Sequence, residues 1–294
     1  MAVTGIDEVN DTIDTIHEKA LLTRQFEAIM SSLAWTINKG KGHTTINVPY
    51  FAEVTANTLS EKIDMTQSET LTDTNVQITP SEVGCKIILT DTAMEDDREQ
   101  LVDIAGRALG MAYNKKEDQD LLGQLDDGTT SIPGTGNTLT MGVLAAARAL
   151  LEGNATSTGG PAPMPYVVVH HPYVLLDIVD VITPVVPAAS TLNASGGAVA
   201  DDMLRNYLAG RLFGMDIYED GNITIDSTPD AKGGVFAKGN GGSIIHGVAR
   251  TMGIEKERDA SARAWEVNCV GRYGVGEYLA GWIVELMADA TTPA

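Results

Sequence analysis

"TLSEKIDMTQSETLTDTNVQIT", residues 58–79, is the stretch that decides how the chain is read. Thr recurs through it and favours strand. Yet Leu59, Ile63, Met65 and Leu71 are its only large apolar side chains before Val76. It holds no Gly and no Pro, so it is neither a flexible linker nor a tight turn. Upstream, Ile46, Val48, Tyr50, Ala52, Val54 and Ala56 share one parity, and Asn47, Glu53, Thr55 and Asn57 share the other. That is the pattern of a half-buried strand, with Phe51 on the polar side. Downstream, Val83, Cys85, Ile87 and Leu89 alternate again and predict the returning strand. Residues 46–90 therefore read as a long hairpin, anchored at its base and projecting at its tip. A polar hairpin with no core of its own is either solvated or laid across another molecule.

Working outward, residues 1–45 carry Ile13, Ile16, Ala20, Leu21, Phe26 and Met30 at roughly helical spacing, stopped by Gly40 and Gly42. After the hairpin, Thr92 and Glu95 form a capping-box pattern, with Asp96 and Asp97 near the positive helix end. Leu101, Ile104, Ala105, Ala108, Leu109, Met111 and Ala112 then make one apolar stripe, and the helix is expected to run to about Leu125, where Asp126-Asp127-Gly128 stops it. At about 30 residues and ~45 Å it is long enough to serve as a spine. Leu139–Leu151 reads as a second helix, apolar on most sides and so buried. "GNATSTGGPAPMP" from Gly153 marks a boundary. "YVVVHHPYVLLDIVDVI" from Tyr166 predicts a buried strand, a His-His-Pro turn and a helix, and "ADDMLRNYLAGRLFGMDIYEDGNI" from Ala200 a helix, turn and strand. From Gly233 onward the pattern is mostly strand.

Lys and Arg number 20 against 40 Asp and Glu, a net charge of −20. Binding to nucleic acid draws on clustered cations, and no basic run supplies them. Two cysteines are too few for a disulfide scaffold. The start "MAVTGIDEVNDTID" lacks the basic and apolar regions of a signal peptide, and no segment approaches the apolar length that spans a bilayer. The sequence reads as a soluble chain made in a cytoplasm, with no membrane partner.

Catalytic and ligand motifs are scarce. His170 and His171 are adjacent and would point to opposite faces of a strand, so a hydrogen-bonded turn explains them better than a metal site. His17, His43 and His246 stand isolated. The glycines of "GTGNTLTMG" and "GRYGVGEYLAG" lack the strand–loop–helix context of a nucleotide site. No catalytic residue, metal ligand or cofactor site is expected, and the chain is not read as an enzyme.

The order of these elements resembles the major capsid proteins of tailed bacteriophages, with the Hong Kong 97-type fold. "INVPYFAEVTANTLSEKIDMTQSETLTDTNVQI" is similar to that family's extended loop, and "TAMEDDREQLVDIAGRALGMAYNKKEDQDLLGQL" to its spine helix. "YVVVHHPYVLLDIV" and "LAGRLFGMDIYEDGNI" are similar to parts of its axial domain. "GGVFAKGNGGSIIHGVARTMGIEKERDA" and "RYGVGEYLAGWIVELMA" are similar to strands that complete its peripheral domain. The resemblance implies an α+β fold divided into an N-terminal arm (1–45), an extended-loop hairpin (46–90), a peripheral domain with the spine helix (91–160), an axial domain (161–232) and return strands, mainly peripheral (233–294).

It also implies a structural role: hexamers and pentamers closing an icosahedral shell around packaged double-stranded DNA, assembled in the host cytoplasm and residing in the virion. Leu59, Glu61, Lys62, Ile63, Met65 and Leu71 become the expected inter-subunit contacts. The expected partners are further copies of the chain, a separate scaffolding protein, a portal and a decoration protein. The separate scaffold follows from the short segment ahead of the hairpin. Some relatives cross-link through a Lys, an Asn and a Glu; Lys62, Asn268 and Glu277 are the nearest counterparts, and no motif ties them together. An encapsulin-like compartment and a tail-tube subunit are the alternatives.

Overall fold

The computed structural model describes residues 28–39, 44–51, 70–96, 101–153, 160–182 and 211–293, with Val54, Ala56, Thr58 and Glu61. Of the helical pattern predicted from Ile13 to Met30, all but the last three residues lie outside the described residues, as does the segment 200–210. A short helix, α1 (Met30–Leu33), leads into β1 (Trp35–Asn38), which the sequence pattern did not announce. The hairpin strands are β2 (Ile46–Phe51) and β3 (Asp73–Ile78), followed by β4 (Ser81–Thr90). Helix α2 (Asp91–Asp96) and helix α3 (Leu101–Leu122) come next, and a 3₁₀ turn at Gly123–Leu125 closes α3.

Two expectations are corrected here. The returning strand of the hairpin is β3, inside the polar stretch itself, and not Val83–Leu89. Six residue pairs from Ile46↔Ile78 to Phe51↔Asp73 hold β2 to β3, while β4 crosses to another sheet and pairs with a late strand. The helix cap is also displaced by two residues. Thr90, not Thr92, accepts the Ala93 N–H through its hydroxyl at 3.3 Å, and Asp91 occupies the first turn, where the helix dipole favours a carboxylate.

The remaining elements are β5 (Thr130–Pro133), α4 (Met141–Glu152), β6 (Tyr166–His170), α5 (Pro172–Ile182), β7 (Arg211–Leu212), β8 (Met215–Glu219), β9 (Asp230–Ala237), β10 (Ile244–Asp259), β11 (Ala264–Glu277) and β12 (Ile283–Asp289). They form a four-stranded sheet in the order β1-β10-β11-β4 and a six-stranded sheet in the order β5-β12-β9-β6-β8-β7. β6 sits inside the larger sheet and all five of its residues are buried, as its unbroken apolar run requires. α4 is amphipathic rather than apolar all round: Thr140 caps it, Leu144, Ala147 and Leu151 face the core, and Leu150 is exposed.

α3 joins two cores. Its first turns place Ala105, Leu109 and Tyr113 at four-residue spacing against Leu89, Val267, Cys269 and Tyr273 of the smaller sheet. Its end delivers Leu121 and Leu122, with Leu125 just beyond, to the core of the larger sheet beside Val167, Val235 and Phe236. The stripe has therefore moved around the helix, and Ala112, expected inside, is exposed. One rigid rod thus fixes the two sheets to each other.

The paired histidines make the expected turn. His170 Nε2 lies 3.0 Å from the Leu286 carbonyl, and His170 Nδ1 accepts the His171 N–H at 2.9 Å. Nε2 therefore carries the proton. Complete burial pushes the imidazole down to about 4, so it stays neutral. His171 Nδ1 accepts the Tyr173 N–H at the start of α5.

Candidate functional site

The hairpin β2–β3 is anchored at one end and bare at the other. Ile46, Val48 and Ile78 are buried against Ile245, with Trp35, Ile37, Val76 and Tyr278 packed around them. Full burial of each such side chain contributes about 1.5–3 kcal/mol. The hairpin approaches β10 and β11 closely because its seat lacks side chains. Gly247 and Gly274 are direct partners across those strands. A Cβ on Gly247 would stand 2.7 Å from Ile46 Cδ1, and one on Gly274 would stand 2.8 Å from Ile78 Cγ2 and 3.1 Å from the Thr79 carbonyl. Gly274→Val is expected to lower stability by about 2–3 kcal/mol. Gly247→Ala should cost less, because the end of the Ile46 side chain can turn aside. Denaturant midpoints measure both, and a Gly274→Val loss below about 0.5 kcal/mol would mean the seat yields.

Aromatic rings complete the seat. Tyr278 meets Trp35 at 5.6 Å, Tyr50 at 6.0 Å and Trp282 at 5.6 Å, all edge to face. Its hydroxyl donates to the Pro49 carbonyl at 3.2 Å.

Beyond the seat the buried face ends. Phe51 is 59% exposed, Val54 54% and Leu71 63%. Val54 and Ala56 were expected on the buried side of a strand continuing past Phe51. Both are exposed, and the core residues packed against the hairpin reach only its base. Of the expected contact residues, Glu61 is exposed and Leu71 stands at the foot of the tip. Leu59, Lys62, Ile63 and Met65 lie outside the described residues. Asn268 and Glu277 are not brought together within one chain, since they stand about 30 Å apart along β11 at ~3.4 Å per residue. Burial, then the nearby Asp127 charge, raises the Glu277 carboxyl.

A second buried constellation fastens the segment ahead of β1. Asp118 of α3 is fully buried, and its Oδ1 accepts the N–H groups of Ile29 and Met30, each at 3.0 Å. Its Oδ2 accepts from Asn222 Nδ2 at 2.9 Å. Asp220, also buried, accepts the Asn222 N–H at 2.8 Å through Oδ1, while its Oδ2 has no donor. Burial, followed by the hydrogen bond to Asp118, pushes Asp220 up to about 8. A proton held on Asp220 and donated to Asp118 satisfies both carboxyls.

The folded chain then binds more protons than the unfolded chain between the ordinary 3.8 of Asp220 and about 8. The stabilisation this proton gives is complete at acid pH and is lost as pH rises toward and through about 8. Its slope is at most about 1.4 kcal/mol per pH unit. Asp220→Asn makes the same donation without a proton, so the loss of stability between about pH 5 and about pH 8 should flatten, leaving the variant more stable than the wild type at the upper value. Denaturant midpoints at the two pH values test this. An unchanged slope in the variant would place the proton elsewhere.

Sequence reasoning missed Gly247, Gly274, Asp118 and Asp220. Glycine inside a strand pattern is a signal of close backbone approach, and it was available. His246, isolated in the sequence, has a partner in the fold: its Nε2 is 2.8 Å from Glu117 Oε1 on α3. Among the described residues no group of three or more His, Cys, Asp or Glu converges to hold a metal. No helix among them is long and apolar enough to cross a membrane.

Comparison with known proteins identifies the arrangement. A family model described as "Phage capsid protein" matches residues 75–284. No curated protein matches the chain by sequence. Among solved structures, the chain is similar to one from Mycobacterium phage Che8, with TM-score 0.70, 15% identity and coverage of 93% of this chain and 96% of that one. It is similar to the head structure of Helicobacter pylori bacteriophage KHP40, with TM-score 0.72, 10% identity and 99% of each chain covered. It is also similar to the capsid of Ralstonia phage GP4, with TM-score 0.68, 10% identity and 96% of each chain covered. The spine helix, the two sheets and the projecting hairpin are thus those of the Hong Kong 97-type capsid fold. The chain belongs to the phage capsid protein family, as a structural protein of the virion and not an enzyme.

Proposed function

We propose that this chain is the major head subunit, forming hexamers and pentamers that close an icosahedral shell around packaged double-stranded DNA. The observation that carries this reading is the hairpin: seated on glycines at one end and bare, with exposed Phe51, Val54 and Leu71, at the other. A hairpin fixed at its base presents its tip to a neighbouring copy without loss of order in the rest of the chain. Leu59, Glu61, Lys62, Ile63, Met65 and Leu71 would make that contact. The sheet of β1, β10, β11 and β4, with α3 packed against it, serves as the peripheral part, and the sheet around β6 as the axial part. The net charge of −20 lets DNA slide past a wall that does not hold it. Assembly proceeds in the host cytoplasm with a separate scaffolding protein and a portal.

Electron microscopy with sedimentation analysis, on the chain alone and with its scaffolding protein, tests the reading. Closed shells, or capsomers that close when scaffold is added, are expected. A well-folded monomer under both conditions would overturn it, and open tubes would favour the tail reading.

A further inference from the structure

The chain has two cysteines, and the fold places them opposite each other. Cys269 of β11 is the direct antiparallel partner of Cys85 of β4. Directly opposed residues in such a pair stand about 4.5–5.5 Å apart at Cα, inside the range that a disulfide spans. Cys269 is fully buried, among Leu89, Leu109, Tyr113 and Tyr273. Cys85 is only half-buried, and its thiol donates to the Leu109 carbonyl of α3 at 3.5 Å. Both thiols are free. Cys85 therefore offers an entry point to solvent-borne reagents, and Cys269 waits behind it.

We propose that Cys85 and Cys269 are a modification site, which a small-molecule disulfide such as oxidised glutathione converts to an intramolecular bond between β4 and β11. The thiol of Cys85 gives its proton to solvent, and its sulfur attacks one sulfur of the reagent. The reagent's S–S bond breaks and one glutathione thiolate leaves. Cys269 then loses its proton and attacks the Cys85 sulfur of the mixed disulfide, expelling the second glutathione. Two protein thiols are oxidised and one disulfide is reduced to two thiols. Burial and the neighbouring Cys85 sulfur raise the Cys269 thiol, so the second step quickens with rising pH. In a reducing cytoplasm the pair stays open, and in an oxidising medium it closes beneath the spine helix.

The test needs only the folded chain, so it stands apart from the shell reading: either result can occur with or without closed shells. The chain is incubated with oxidised glutathione at mildly alkaline pH, then denatured for thiol titration and intact mass measurement. Both titratable thiols should disappear, with a mass loss of about 2 Da, and the melting temperature should rise by roughly 5 °C or more. Dithiothreitol should reverse all three changes. Cys85→Ser should keep its one buried thiol, Cys269→Ser should retain glutathione as a mixed disulfide on Cys85, and neither should show a thermal gain. Should either variant fail to fold, the wild-type thiol count and mass decide alone. Two persistent thiols, or a glutathione adduct on Cys85 that Cys269 never displaces, would overturn the proposal.

Discussion

Replacing Asp118 by Ala is expected to lower stability by about 3–4 kcal/mol, among the largest effects of any single substitution outside the apolar core. Besides the Asp220 proton, the carboxylate takes three N–H donors at once: those of Ile29 and Met30 and the amide of Asn222. The Met30 N–H and the Asn222 amide lie among buried residues, and water does not replace what Ala removes. Each unsatisfied buried donor costs about 1–3 kcal/mol. The loss also spreads across the fold, because Asp118 joins α3, the segment entering β1 and the turn after β8. Asp118→Asn keeps an oxygen for the two backbone donors and should recover part of the loss. The measurement is a denaturant midpoint with an unchanged slope, together with proteolysis between residues 28 and 34. A loss below about 1 kcal/mol, or protection of that segment in the Ala variant, would show that it is held by Met30 and Leu33 packing alone.

That carboxylate also shows where sequence reading stopped. The apolar stripe of α3 was legible because four-residue spacing repeats through Ala105 and Leu109, and the buried strand β6 because five residues from Tyr166 to His170 contain no charge. An Asp in the later turns of a helix reads as a solvated residue. Nothing near it announces an Asn partner 104 positions away. The same limit applies to Cys85 and Cys269, whose opposition is set by the register of β4 on β11.

The hairpin was legible in kind and misread in extent. β2 shows its inward face through Ile46 and Val48, whereas β3 turns only Val76 and Ile78 inward, so the stronger alternation of β4 was taken for the return. The two-residue step across Thr79-Pro80 separates a hairpin strand from a sheet strand, and hydrophobic period alone does not register it. The glycine seat is hidden because Gly274 lies in a stretch that reads as a failed nucleotide loop and Gly247 in one that reads as plain strand.

Shortening the hairpin should abolish shell assembly while leaving the subunit folded. Phe51 and Asp73 are direct partners, so their ends stand close enough for a two-residue Asn-Gly turn in place of residues 52–72. The replacement keeps the buried base of Ile46, Val48 and Ile78 on Gly247 and Gly274. It removes the exposed Val54 and Leu71 and the contact residues proposed between them. The described residues of this stretch, Val54 and Leu71 among them, are exposed, so its loss should shift the melting temperature by no more than about 2–4 °C. Assembly should respond quite differently. The same deletion is made in every copy, so each neighbour-to-neighbour contact around a capsomer is lost together, and affinity falls tenfold for every ~1.4 kcal/mol removed at one contact. Sedimentation should then show monomers at concentrations where the wild type forms capsomers or shells. Shells of normal size from the shortened chain would show that the tip is dispensable and that the apolar residues it exposes serve another contact. An unfolded product would show instead that the tip supports the fold, and Leu71→Asp with Val54→Asp in the intact hairpin would then separate assembly from folding.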